Sequence, residues 1–110
     1  MITFVEAPVF TQQVTAVWSD DELAAFQRDL AAHPAVGDPI PGLGGLRKVR
    51  WAAKGKGKRG GARIIYLPLA RAGIIYLFFL YTKGDVTDLS PDQKRRLVKA
   101  VAEIKAEFKA

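Results

Sequence analysis

Residues 34 to 45 (PAVGDPIPGLGG) hold three prolines and four glycines, and they divide the chain into halves with different hydrophobic periods. Proline lacks a backbone donor, and glycine loses the most conformational freedom on ordering. A loop is therefore expected across the whole stretch. Before it, apolar residues recur at helical spacing. After it come runs rich in Val, Ile, Tyr and Phe, the composition of strands.

In the first half, Ile2 to Val5 reads as a short strand. Pro8 suits a first helical position, where its missing N–H costs nothing, and Phe10, Val14 and Val17 continue at helical spacing. Ser19 to Glu22 (SDDE) is a capping box that opens a second helix, with Trp18 and Leu23 placed as a hydrophobic staple. Asp20 and Asp21 add negative charge at the positive end of that helix. Leu23, Phe26 and Leu30 form its apolar stripe, and His33 and Pro34 close it.

In the second half, Leu46 to Ala52, Ala62 to Leu69 and Ile74 to Thr82 read as three strands. Gly-containing connections favour antiparallel pairing. The first, residues 53 to 61, is long and basic; the second, near Ala70 to Gly73, is tight. Ser90-Pro91-Asp92-Gln93 repeats the capping signal and starts a last helix. Its Leu97, Val101, Ile104 and Phe108 share one face, while Lys94, Arg95, Arg96 and Lys99 lie largely on the other. The expected order is β-α-α-β-β-β-α. This is a small α+β domain spanning residues 1–110, with a mainly antiparallel sheet and helices packed on one face.

A chain of 110 residues suffices for one modest core. It contains no cysteine, which removes disulfides and thiol chemistry. The start, MITFVEAP, lacks the positive charge and apolar length of a signal peptide. The longest apolar run, Ile74 to Tyr81, is far short of the roughly 20 residues that span a bilayer. A cytoplasmic protein with no membrane association is expected.

Charge is distributed unevenly. Residues 47 to 63 (RKVRWAAKGKGKRGGAR) carry eight Lys or Arg and no acid, whereas the whole chain carries 17 basic and 11 acidic residues. Without that segment the remainder is net −2. A mildly acidic globule bearing one concentrated cationic element points to a polyanion, above all nucleic acid. A solvated basic loop is the plainer alternative.

Strand alternation sorts these charges. Lys48 and Arg50 share a face; Val49 and Trp51 take the other. Arg63 shares a face with Ile65 and Leu67, and Tyr81 with Lys83. With the strands adjacent, Lys48, Arg50, Arg63, Tyr81 and Lys83 converge on the side expected to be free of helices. Arg63 and Lys83 suit plain strand-end charges equally well, and Tyr81 suits the core.

Other chemistries find little support. A single histidine rules out a two-imidazole ribonuclease, and His33 at a helix C-terminus suits a structural role. Asp85 and Asp88 are close in sequence, but no cluster has metal-ligand spacing, so no metal or cofactor is expected. Gly55, Gly57 and Gly60 spell G-x-G-x-x-G. The dinucleotide fingerprint requires a preceding strand and a following helix, and here a strand follows. The cationic face does suit RNA cleavage. Arginine stabilises a phosphorane through its fork, and crowded ammonium groups repel one another, which favours proton loss.

GLRKVRWAAKGKGKRGGARIIYL (45–67) and IIYLFFLYTKGDVTDLSPDQ (74–93) resemble the HigB-type branch of the RelE-like toxins of type II toxin–antitoxin systems. The similarity runs from Ile2 to about Ile104. It implies a ribosome-dependent endonuclease that cuts messenger RNA without a metal. It also implies a cognate antitoxin with a helix-turn-helix DNA-binding domain, through which alone the toxin would meet DNA. The resemblance assigns Lys48 and Arg50 to the paired basic positions, Arg63 to the phosphate-stabilising arginine and Lys83 to the basic residue ending the last strand. Arg47, Lys54, Lys56, Lys58 and Arg59 are left to grip ribosomal RNA. Gly84 and Asp85 stand where some relatives have a second arginine. No tyrosine follows Tyr81, so Tyr81 takes the base-stacking role or the role is unfilled. A non-catalytic RNA- or ribosome-binding protein and a ParE-like gyrase inhibitor are the alternatives.

Overall fold

The structure, a computed structural model, describes residues 1–53, 57–82 and 89–108, with side chains at all of these except 52, 53 and 57–60. Its elements are β1 (Thr3–Glu6), α1 (Pro8–Val17), α2 (Asp20–Ala32), β2 (Asp38–Pro39), β3 (Arg47–Ala53), β4 (Gly57–Leu69), β5 (Ile74–Thr82) and α3 (Pro91–Glu107). The strands form one mixed sheet in the order β1-β5-β4-β3-β2. β1 runs parallel to β5, and the other pairings are antiparallel. A 3₁₀ turn (Ala70–Ala72) links β4 to β5 and ends on Gly73, whose φ of 67° suits glycine.

Both capping boxes form. The Ser19 N–H donates to Glu22 Oε1 at 2.8 Å and the Glu22 N–H donates to Ser19 Oγ at 3.2 Å. Ser90 and Gln93 repeat the exchange at 2.8 and 3.1 Å. Trp18, placed to staple α2, packs against Phe26 with ring centroids 5.1 Å apart. α1 also closes part of a sheet edge. β1 pairs with β5 only as far as Leu77, and beyond it Gln13 Oε1 accepts the Leu80 N–H at 2.8 Å. An edge donor is thereby satisfied without another strand.

Three expectations need correction. The proline- and glycine-rich stretch is not all loop: Asp38 and Pro39 pair with Lys48 and Arg47 as the two-residue edge strand β2. An edge is where a sheet tolerates proline. Secondly, β4 starts at Gly57 rather than Ala62, so much of the basic connection is strand, with Ala53 opposite Gly57.

Thirdly, the helices lie on both faces of the sheet. α1 and α2 pack through Phe10, Val14, Phe26 and Leu30 onto Val49, Ile64, Tyr66 and Leu77. α3 packs through Leu97 and Val101 onto Ile65, Leu67 and Phe78, on the opposite side. The cause lies in the central strand. Ile64, Ile65, Tyr66 and Leu67 are consecutive and all buried, so β4 is apolar on both faces and each face must be covered. A register shift in the β4–β5 pairing places Ile65 opposite Phe79 and Tyr66 opposite Leu77. Phe78 is the extra residue, and it joins the α3 side. Among the described residues, no helix is long and apolar enough to cross a membrane.

Candidate nucleic-acid interface

Register brings three of the expected residues into one line. Arg50 on β3 is directly opposite Arg63 on β4, and Arg63 is directly opposite Tyr81 on β5. Directly opposed residues have Cβ atoms about 4.5–5.5 Å apart. The next row on the same face is Lys48, Ile65 and Phe79. Four of the five expected site residues therefore share one face, as alternation requires.

That face is not helix-free, because α3 covers its apolar part. The Arg50–Arg63–Tyr81 row marks the border of the covered region. Tyr81 is partly buried and packs at the edge of the α3 cluster with Leu89, while Arg50 and Lys48 are exposed. Arg63 sits between, partly buried. The fifth residue, Lys83, lies outside the described residues, as do Lys54, Lys56, Asp85 and Asp88. The same holds for the side chains of Lys58 and Arg59, whose backbone belongs to β4. β4 continues as strand through Gly57 and Gly60, so no helix follows the glycines and the dinucleotide reading stays rejected.

The electrostatics of the row are unusual. Like charges placed directly opposite in a sheet repel each other. Among the described residues the only salt bridge is Arg95 to Asp92, and no described carboxylate neutralises Arg50 or Arg63. Arg63 Nη1 is shielded from solvent and has no hydrogen-bond partner. Leaving such a donor unsatisfied costs about 1–3 kcal/mol, and more for a charged group. An anion placed here would satisfy that donor, and a guanidinium fork matches two phosphate oxygens.

Arg47 belongs elsewhere. It pairs with Tyr66 on the face of α1 and α2, and its Nη1 donates to Gly37 O at 2.6 Å and Ala35 O at 3.2 Å. Tyr66 holds the same loop: its hydroxyl donates to Pro34 O at 2.8 Å and accepts the Gly37 N–H at 2.9 Å. Burial pushes the Tyr66 phenol above its ordinary value; the Gly37 N–H and the Arg47 charge oppose that rise. Arg47 and Tyr66 thus brace the segment before β2. Sequence reasoning missed Tyr66, although a tyrosine flanked by Ile65 and Leu67 in a buried strand must find a partner for its hydroxyl.

His33 closes α2 through its backbone, its N–H donating to Asp29 O and Leu30 O, each at 3.2 Å. Its side chain is exposed beside a shallow apolar cleft lined by Phe26, Val36 and Trp51, on the face away from the arginine row. Among the described residues, no three His, Cys, Asp or Glu gather to hold a metal. Compared with models of known protein families, the chain matches none.

Proposed function

We propose that the chain is the toxin of a type II toxin–antitoxin system, a ribosome-dependent endonuclease that cuts messenger RNA and so arrests translation. The observation that carries this reading is the Arg50–Arg63–Tyr81 row, whose guanidinium pair no carboxylate among the described residues neutralises, together with the unpartnered Nη1 of Arg63. The resemblance of residues 45–67 and 74–93 to RelE-like toxins of the HigB type supports it.

In this reading the message lies across the row with its scissile phosphate at Arg63. Arg63 stabilises charge on the phosphorane as the 2′-hydroxyl oxygen attacks phosphorus and the 5′-oxygen leaves. Arg50 adds positive potential from the solvent side. Lys48, one row away, and Lys83 complete the cationic surround, and Tyr81 stacks a base or handles a proton. Lys54, Lys56, Lys58 and Arg59 hold ribosomal RNA. A helix-turn-helix antitoxin would neutralise the surface in the cell, and the site of action is the cytoplasm.

Expression without antitoxin should arrest growth, and primer extension should find new 5′ ends in ribosome-bound transcripts. Arg63→Ala should abolish both while the protein still folds. Arrest with intact message would replace catalysis by simple RNA or ribosome binding. Loss of gyrase supercoiling with intact message would place the target on DNA topology instead.

A further inference from the structure

α3 carries a second concentration of charge that the arginine row does not use. Four of its five Lys and Arg residues (Lys94, Arg95, Arg96 and Lys99) lie in its first nine positions. All four are exposed. Asp92 engages Arg95, and Lys94, Arg96 and Lys99 have no ion pair among the described residues.

This placement runs against the helix's own electrostatics. Cations are favoured near a helix C-terminus, where α3 has only Lys105. Like charges at i,i+3 and i,i+4 repel, as do Arg96 with Lys99 and Arg95 with Lys99. Glu103 stands four residues after Lys99 without forming a salt bridge to it. The helix holds these charges at some expense in stability, and an external polyanion would reverse the sign of that effect.

The position of the helix says which polyanion. α3 packs on the same sheet face as the arginine row. Its start lies toward the row's end of the sheet: Leu89 and Tyr81 each pack against the cluster under α3, whereas Phe108, at the helix's other end, meets Tyr76 with ring centroids 6.3 Å apart. Its other end lies over the chain entering β3, where Val101 Cγ1 stands 3.0 Å from the position a Cβ on Gly44 would take. The cation-rich half of α3 is thus the half nearest the row.

The geometry points to the exposed face of Lys94, Arg95, Arg96 and Lys99 as a second RNA-binding surface, which grips the phosphodiester backbone of a structured RNA beside the arginine row. It holds RNA without taking part in cleavage, and its link to the proposed function is that the row and the helix meet one kind of polymer. Phosphate contacts of this kind release counterions, so affinity falls steeply with salt.

The test is fluorescence anisotropy with a labelled RNA duplex of about 20 base pairs, across a salt series. The full chain is compared with K94Q/R96Q/K99Q and K94E/R96E/K99E. The neutral variant should lose at least about tenfold in affinity, and its log–log salt slope should fall by about two to three, near one per phosphate contact. The reversed variant should bind more weakly still. The neutral variant should melt at or above the wild-type temperature, which separates lost binding from lost folding. Affinity within twofold of wild type and an unchanged slope would overturn the inference. So would loss of polyglutamate binding with RNA binding intact, which assigns the face to an acidic protein. If the wild type cuts no message yet the three substitutions still weaken duplex binding, the cleavage reading fails and this surface stands.

Discussion

Arg50 and Arg63 face each other across β3 and β4 with no carboxylate among the described residues bridging either, and Arg63 keeps one nitrogen buried and unpartnered. Such a pair is poised for an anion and strained without one. Replacing Arg63 with a straight apolar chain of similar length should therefore stabilise the fold. Arg63→Met is expected to raise unfolding free energy by about 1 kcal/mol at low salt, since it removes both the cross-strand repulsion and the unsatisfied donor. Urea denaturation reads it, and the gain should shrink in high salt as repulsion is screened. The same variant should be inactive, the stability–activity opposition expected of a functional site. A Met variant less stable than wild type would show that the guanidinium has a structural partner.

Lysine at position 63 keeps the charge and loses the fork. With two phosphate oxygens engaged, Arg63→Lys should retain RNA affinity within a few-fold while cleavage falls by about 10²-fold or more, the scale of removing one transition-state donor. Single-turnover cleavage on programmed ribosomes, measured beside binding, separates the two. Equal losses in both would reduce Arg63 to a binding residue.

Alternation, a local property, placed Lys48, Arg50, Arg63 and Tyr81 on one face from the sequence alone. Their alignment depends on register, and register depends on where β4 begins. The five residues before Ala62 are three glycines, one lysine and one arginine, which masks a strand; pairing with β3 outweighs that propensity. The side taken by α3 was hidden for a different reason. An amphipathic stripe says that a helix packs, not against which face. The consecutive apolar residues Ile64 to Leu67 carried the missing signal, because a strand apolar on both faces needs cover on both. The brace from Tyr66 to Pro34 and Gly37 spans about thirty residues of sequence and has no local signature.

Gly37 shows how tightly that brace closes. A Cβ there would stand 2.8 Å from the Lys48 carbonyl oxygen and 2.9 Å from the Tyr66 hydroxyl oxygen. Both atoms are held, one in the β3 backbone and one by two hydrogen bonds. Gly37→Ala should therefore destabilise the protein by about 2 kcal/mol through overpacking, read as a lower urea midpoint with an unchanged m-value. Unaltered stability would mean that residues 34–37 shift freely and that Tyr66 does not anchor them.

The Tyr66 phenol gives the brace a pH signature. Burial raises its pKa above the ordinary 10.0, so the native state keeps the proton where the unfolded chain begins to release it. Between the unfolded and folded pKa values the native protein binds more protons than the unfolded chain. Stability then falls as pH rises, and the contribution is complete below the unfolded value. Melting temperature should accordingly begin to decline near pH 10 and continue downward through the folded pKa. Tyr66→Phe should be less stable at neutral pH by about 1–2 kcal/mol, because the Gly37 N–H and the Pro34 carbonyl lose their partner. The same variant should lose much of the alkaline decline. Parallel melting curves for wild type and Tyr66→Phe from pH 8 upward would contradict this, and would locate the alkaline transition in another group.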